Sequence, residues 1–196
     1  MSEQSPNFRL ITSVYQNELS NLTALEDDLE MDMLVYENDK EVSVGGIEWE
    51  VERIWKTGPR LRASYSFQVA SGEDEDEEIF NSPRHLAKLN LSAPMPVKAW
   101  RAGLEIQYTG SQKAPLSDEN QPDDFEGIWD MDAYLVANLR LINMRLWRGL
   151  GLAVGVYDLF DQRLLDPPGE EHDVSGIPQD GRTFGFELQY RLGSGE

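Results

Sequence analysis

Apolar and polar residues alternate with a period of two along most of this chain. The clearest run is the last, from Arg182 to Leu192. There Phe184, Phe186, Leu188, Tyr190 and Leu192 share one parity, and Thr183, Gly185, Glu187, Gln189 and Arg191 share the other. Successive side chains of a strand point to opposite faces, so this run predicts a β-strand with one greasy and one polar face. Taken alone it also fits a surface strand of a β-sandwich. The same pattern is written several more times. Leu61 to Val69 sets Leu61, Ala63, Tyr65, Phe67 and Val69 against Arg62, Ser64, Ser66 and Gln68. The run at Trp100 to Thr109 sets Trp100, Ala102, Leu104, Ile106 and Tyr108 against Arg101, Gly103, Glu105, Gln107 and Thr109. Asp132 to Asn143 and Leu150 to Phe160 repeat it, and weaker versions lie at Asn7 to Asn17, Leu34 to Trp55 and Pro83 to Ser92. Gly45 and Gly46 inside the second of these predict a bulge or bend. The sum is eight strands and no helix. The expected fold is all-β: an antiparallel up-and-down meander, read as a segment of a transmembrane β-barrel or as a small barrel closing on itself, since eight strands suffice for closure.

The connections separate into two kinds. Those after the second, fourth and sixth strands are short and basic, with Lys56 and Arg60, then Lys98, then Arg145 and Arg148 in a turn ending at Gly149. Those after the first, third, fifth and seventh read as long and acidic loops: Glu26 to Asp32, Glu73 to Glu78, Ser111 to Gly127 and Asp161 to Asp180. A meander sends alternate turns to opposite ends, so one end is short-turned and the other long-looped, the layout of outer-membrane barrels. Trp55, Trp100 and Trp147 all fall beside short turns. Indole rings favour the headgroup level, so these three are the expected aromatic girdle. Phe184, Phe186, Leu188, Tyr190 and Leu192 are then the expected lipid-facing strand. Arg62, Gln68, Lys88, Arg101, Glu105, Arg140, Glu187 and Arg191 are the expected lumen-facing set, together with Glu48, Glu50 and Glu52.

Composition narrows the function. A formal net charge of −19 argues against a nucleic-acid partner. The chain has no cysteine, which removes disulfides, thiolate nucleophiles and cysteine-based zinc sites. The N-terminus has no basic stretch followed by an apolar run, so no signal peptide is expected. No stretch approaches about 18 apolar residues, which excludes a membrane helix but not barrel strands of about 9–11 residues. His85 and His172 are the only histidines, and neither belongs to a catalytic constellation; His85 reads as structural or solvent-facing. The acidic run from Glu73 to Glu78 lacks the spaced glycine of a calcium loop and reads as a solvated charge run. No enzyme, cofactor or metal is expected.

Several stretches resemble a family. Asn81-Ser-Pro-Arg-His-Leu-Ala-Lys-Leu-Asn-Leu91, Gly103-Leu-Glu-Ile-Gln-Tyr108, Val156-Tyr-Asp-Leu-Phe-Asp161 and Ile177-Pro-Gln-Asp-Gly-Arg-Thr-Phe184 are similar to the C-terminal part of TonB-dependent outer-membrane receptors. The resemblance covers nearly the whole chain. It implies the last eight strands of a 22-stranded barrel that imports scarce solutes such as ferric siderophores or cobalamin across the Gram-negative outer membrane. TonB would act only through a plug domain, and nothing here resembles one, so residues 1–196 are expected to be barrel alone. Two positions depart from the family pattern: Asp158 stands where Asn is usual, and Leu192 where an aromatic residue usually closes the strand. These features predict a fragment of a transporter. The readings that compete with it are an autonomous eight-stranded barrel with a structural or adhesive role, and a soluble acidic β-protein binding a partner through its loops.

Overall fold

The computed structural model describes residues 7–28, 33–72, 81–115, 128–147, 149–166 and 176–192. It contains strands β1 (Asn7–Asp28), β2 (Met33–Ile54), β3 (Arg60–Ser71), β4 (His85–Pro94), β5 (Trp100–Thr109), β6 (Gln112–Pro115), β7 (Ile128–Met131), β8 (Tyr134–Trp147), β9 (Leu150–Tyr157), β10 (Leu165–Asp166), β11 (Ile177–Pro178) and β12 (Thr183–Tyr190). Eight of them form one antiparallel sheet in the order β1-β2-β3-β4-β5-β8-β9-β12. This is the expected meander. It is open: β1 and β12 are opposite edges of the sheet, so closure on itself is not what these strands do.

Register places every greasy parity on the same face, because directly opposed residues share a side of the pleat. One row runs Phe8, Arg53, Leu61, Leu91, Leu104, Leu139, Val156, Phe184 across all eight strands. A row on the other face runs Arg9, Glu52, Arg62, Asn90, Glu105, Asn138. No described residue covers the greasy face. Among the described residues the only buried hydrophobic ones are Ala114, Met131, Ala137 and Ala153, while Phe184, Phe186, Leu188 and Tyr190 all stand exposed, Phe184 at 78%. An ordinary soluble domain buries such rows against a second layer; this sheet has none among the described residues.

Four expectations about elements need correction. The connection after the first strand is no long loop: β1 and β2 pair from Asn7↔Ile54 out to Asp28↔Met33, so Glu26, Asp27 and Asp28 are strand residues. At about 3.3 Å per residue, strands of this length are roughly twice what the others span. β3 accompanies β2 only to Ser43↔Ser71, and beyond that level the hairpin continues as a two-stranded ribbon. Gly45 and Gly46 pair regularly on both sides and make no bulge. The bulges sit where the ribbon leaves the sheet: β1 gains a residue between Leu19 and Leu22, with Asn21 at φ 57°, and β2 gains one between Glu37 and Lys40. The two insertions cancel and restore register.

Arg145, Leu146 and Trp147 are not a turn. β8 continues through them by way of a bulge, with Asn143 opposite Leu152 and Trp147 opposite Leu150. Asn143 makes this possible, its buried side-chain Oδ1 accepting from the backbone N–H of Arg145 at 2.9 Å. Finally, the stretches read as plain loops hold two small hairpins, β6–β7 and β10–β11. Short runs such as Gln112–Pro115 carry too few residues to show a period. The acidic run from Glu73 to Glu78 lies outside the described residues.

Candidate functional site

The chemistry of this chain is spread over the polar face of the sheet. At the β1 side it is an ionic lattice. Arg9 Nη2 donates to Glu50 Oε1 at 3.2 Å and reaches Glu52 Oε2 at 3.1 Å, while Arg62 Nη2 donates to the second Glu50 oxygen at 3.0 Å. Opposite charges on adjacent strands lie within reach of one another on a shared face, and the register sets Glu52 between Arg9 and Arg62. At the other side Arg140 pairs with Glu187, bridging β8 to β12 across β9.

Between them Arg101 turns its guanidinium to backbone, donating to Gly58 O at 2.9 Å, Ser92 Oγ at 3.1 Å and Ser92 O at 3.4 Å. It thereby ties the β2–β3 turn, where Gly58 has φ 99°, to the end of β4. Glu105 accepts from Gln107 at 2.7 Å. Lys88 sits in the same face, opposite Ser64 and Gln107. Gln68 accepts from the Tyr15 hydroxyl at 3.3 Å and donates to Pro83 O at 3.1 Å. A groove of about 410 Å³ runs over this face, lined by Arg60, Arg62, Asn90, Glu105, Arg140 and Tyr157. The arrangement is a wall of mixed charge, tied across strands by the ion pairs of Arg9, Arg62 and Arg140. Among the described residues no group of three or more acidic, His or Cys side chains could hold a metal.

Seven of the eight residues expected on the polar side lie on it. The eighth, Arg191, falls just past β12 with Leu192; its backbone N–H donates to Gly149 O at 3.0 Å and closes the end of the β9–β12 hairpin. The three expected girdle residues share one end of the sheet: Trp55 in the β2–β3 turn, Trp100 at the start of β5, Trp147 at the end of β8. Arg53, the lone charge in the greasy row, has its guanidinium carbon 5.4 Å from the centre of the Trp55 ring. A cation over an indole face is stabilised by the ring's quadrupole, which suits a charge at the rim of an apolar band.

Sequence reasoning missed a second aromatic group, on the greasy face toward the opposite end. Trp49 stacks on Tyr65 with ring centres 5.8 Å apart, and Phe67 lies 5.1 Å from His85. The Tyr65 hydroxyl and His85 Nδ1 are hydrogen-bonded at 2.7 Å. His85 is thus held by Tyr65 on the greasy face. The signal for the cluster was available only in register, since its members come from β2, β3 and β4.

An antiparallel sheet with one greasy and one ionic face has the two-sided alternation of outer-membrane barrel strands. The sequence model of the TonB-dependent receptor-like β-barrel matches residues 4–159, and the chain belongs to that family, one of receptors and transporters. Solved structures with this fold include the ferric-catecholate import receptor Fiu of E. coli K12, with TM-score 0.66 and 19% identity over 90% of this chain and 24% of that one. The pyoverdine outer-membrane receptor FpvA of Pseudomonas aeruginosa PAO1 gives TM-score 0.78 and 14% identity over 94% and 27%. The siderophore receptor PiuA of Acinetobacter baumannii gives 0.69 and 14% over 93% and 26%. The chain thus spans about a quarter of the length of each. A comparison with curated protein sequences found no match.

Proposed function

We propose that this chain is the C-terminal barrel part of a TonB-dependent transporter of the Gram-negative outer membrane, importing a scarce solute such as a ferric siderophore. The greasy face meets outer-membrane lipid, and the Trp55, Trp100 and Trp147 rim sits at the short-turned interface. The ionic face lines the aqueous interior through which the solute passes. The observation that carries the reading is the greasy row from Phe8 to Phe184, broken only by Arg53 at the rim and left uncovered by the described residues. The relatives named above, a ferric-catecholate importer and a pyoverdine receptor among them, support the solute class.

Thiol labelling tests it, because the chain has no cysteine of its own. Single cysteines at Leu188 and Gln189 should behave oppositely in isolated membranes, Leu188→Cys reacting with a lipid-soluble maleimide and Gln189→Cys with a water-soluble one. Equal labelling of both by the aqueous reagent, or recovery of the protein in the soluble fraction, would overturn the reading. Uptake of radiolabelled ferric chelates by cells lacking the gene then tests the solute class.

A further inference from the structure

The hydrophobic pattern protects the edge strands against only one kind of pairing error. A slip of one residue would turn the greasy side chains of β12 to the ionic face. A slip of two would not: Phe184, Phe186, Leu188 and Tyr190 would still oppose the Leu152, Val154 and Val156 parity of β9. Something else must distinguish the observed register, and on the polar face two contacts do. Gly155 and Gly185 are directly opposed, and the ring of Tyr157 lies across both. A Cβ on Gly185 would stand 2.8 Å from Tyr157 Cε2, and one on Gly155 3.4 Å from it. Gly185 is the only glycine in β12, so no slipped register offers the ring the same seat. The Arg140–Glu187 ion pair is the second contact.

The opposite edge repeats the device. Tyr15 of β1 lies over Gly46 of β2, where a Cβ would meet Tyr15 Cζ and Oη at 2.6 Å. Gly46 is the only glycine of β2 on the polar parity, and Arg9 adds its ion pairs to Glu50 and Glu52. Gly103, in the interior strand β5, has no ring over it. The ring-over-glycine contacts thus fall on the outermost strand pairs, β1–β2 and β9–β12, whose outer strands have, among the described residues, a neighbour on one side alone.

We propose that Tyr157–Gly185 and Tyr15–Gly46 are register locks. An aromatic ring filling the gap left by a cross-strand glycine selects one pairing among those the greasy pattern permits. Each free edge is thereby presented at a single height to the further strand that joins it. The locks act on the sheet itself and do not depend on which solute is carried.

Disulfide trapping in isolated membranes tests this on the protein as the cell produces it. Leu152→Cys with Leu188→Cys reports the observed register. Leu152→Cys with Phe186→Cys reports the two-residue slip, since diagonal partners lie roughly 7–8 Å apart and outside disulfide reach. Tyr157→Ala should raise the slipped product by roughly threefold to tenfold, and Tyr157→Phe, which keeps the ring, should not. Moving the seat by the double exchange Thr183→Gly with Gly185→Thr should make the slipped product dominant. Slipped product unchanged in Tyr157→Ala, or observed-register product still dominant in the exchange, overturns the proposal. Should Tyr157→Ala fail to accumulate, the exchange decides alone; its own failure to give folded protein counts against the lock, which predicts that a relocated glycine is accommodated.

Discussion

Asp158 is the least comfortable residue in the sheet. It stands where β9 ends, at φ 47°, with its N–H donating to Asn138 Oδ1 at 3.0 Å and its carbonyl accepting from Asp161. Its side chain is buried, and among the described residues neither carboxylate oxygen has a hydrogen-bond partner. An unpaired buried carboxylate is destabilising, whereas an amide of the same shape carries no charge. Asp158→Asn should therefore stabilise the fold by about 1–3 kcal/mol, read as a higher midpoint in urea unfolding from detergent. Asn143 is the reverse case: its buried side chain closes the β8 bulge, and Asn143→Ala should cost about 1–2 kcal/mol in the same measurement. Arg140→Gln should cost no more than about 1 kcal/mol, because both partners of its ion pair are half in solvent. The burial and partners that set these three apart do not show in the sequence.

At the level of elements, β12 separates the two faces most sharply. An arginine in place of Phe186 would stand on the lipid side and should destabilise the inserted barrel by about 2–4 kcal/mol. An arginine in place of Gln189, on the ionic side, should leave the folded fraction nearly unchanged, and heat-modifiable mobility in gel electrophoresis would register the contrast. The β1–β2 hairpin makes a different point. Its outer half gives no partner to β3, since pairing between β2 and β3 stops at Ser43↔Ser71. Replacing residues 24–37 by Asn-Gly should thus leave the sheet assembled and the folded yield unaltered. Its acidic residues look like loop residues because charge runs usually are; here backbone pairing overrides that preference.

At the largest scale the governing fact is an open sheet that, among the described residues, has two unpaired edges and one greasy face. Free edges template pairing with other chains, and exposed apolar rows drive collapse, so residues 1–196 alone should aggregate in water and stay dispersed in detergent. Sedimentation with and without detergent checks this. Eight strands suffice for a small self-closed barrel, but β1 and β12 lie at opposite ends of the strand order and do not pair with each other.

Alternation by itself determined the class of the fold, the two faces, and the sorting of nearly every charged residue to one of them. It could do so because side-chain direction in a strand is a local property, repeated every two residues and independent of the partner. Where strands end, how far the first hairpin extends, which aromatic rings meet and which of two equally greasy registers is taken were decided only by tertiary structure. Those outcomes depend on what lies across the sheet: Gly185 beneath Tyr157, Tyr65 beside His85, Asn143 holding a bulge in place. A one-dimensional pattern carries no record of such neighbours.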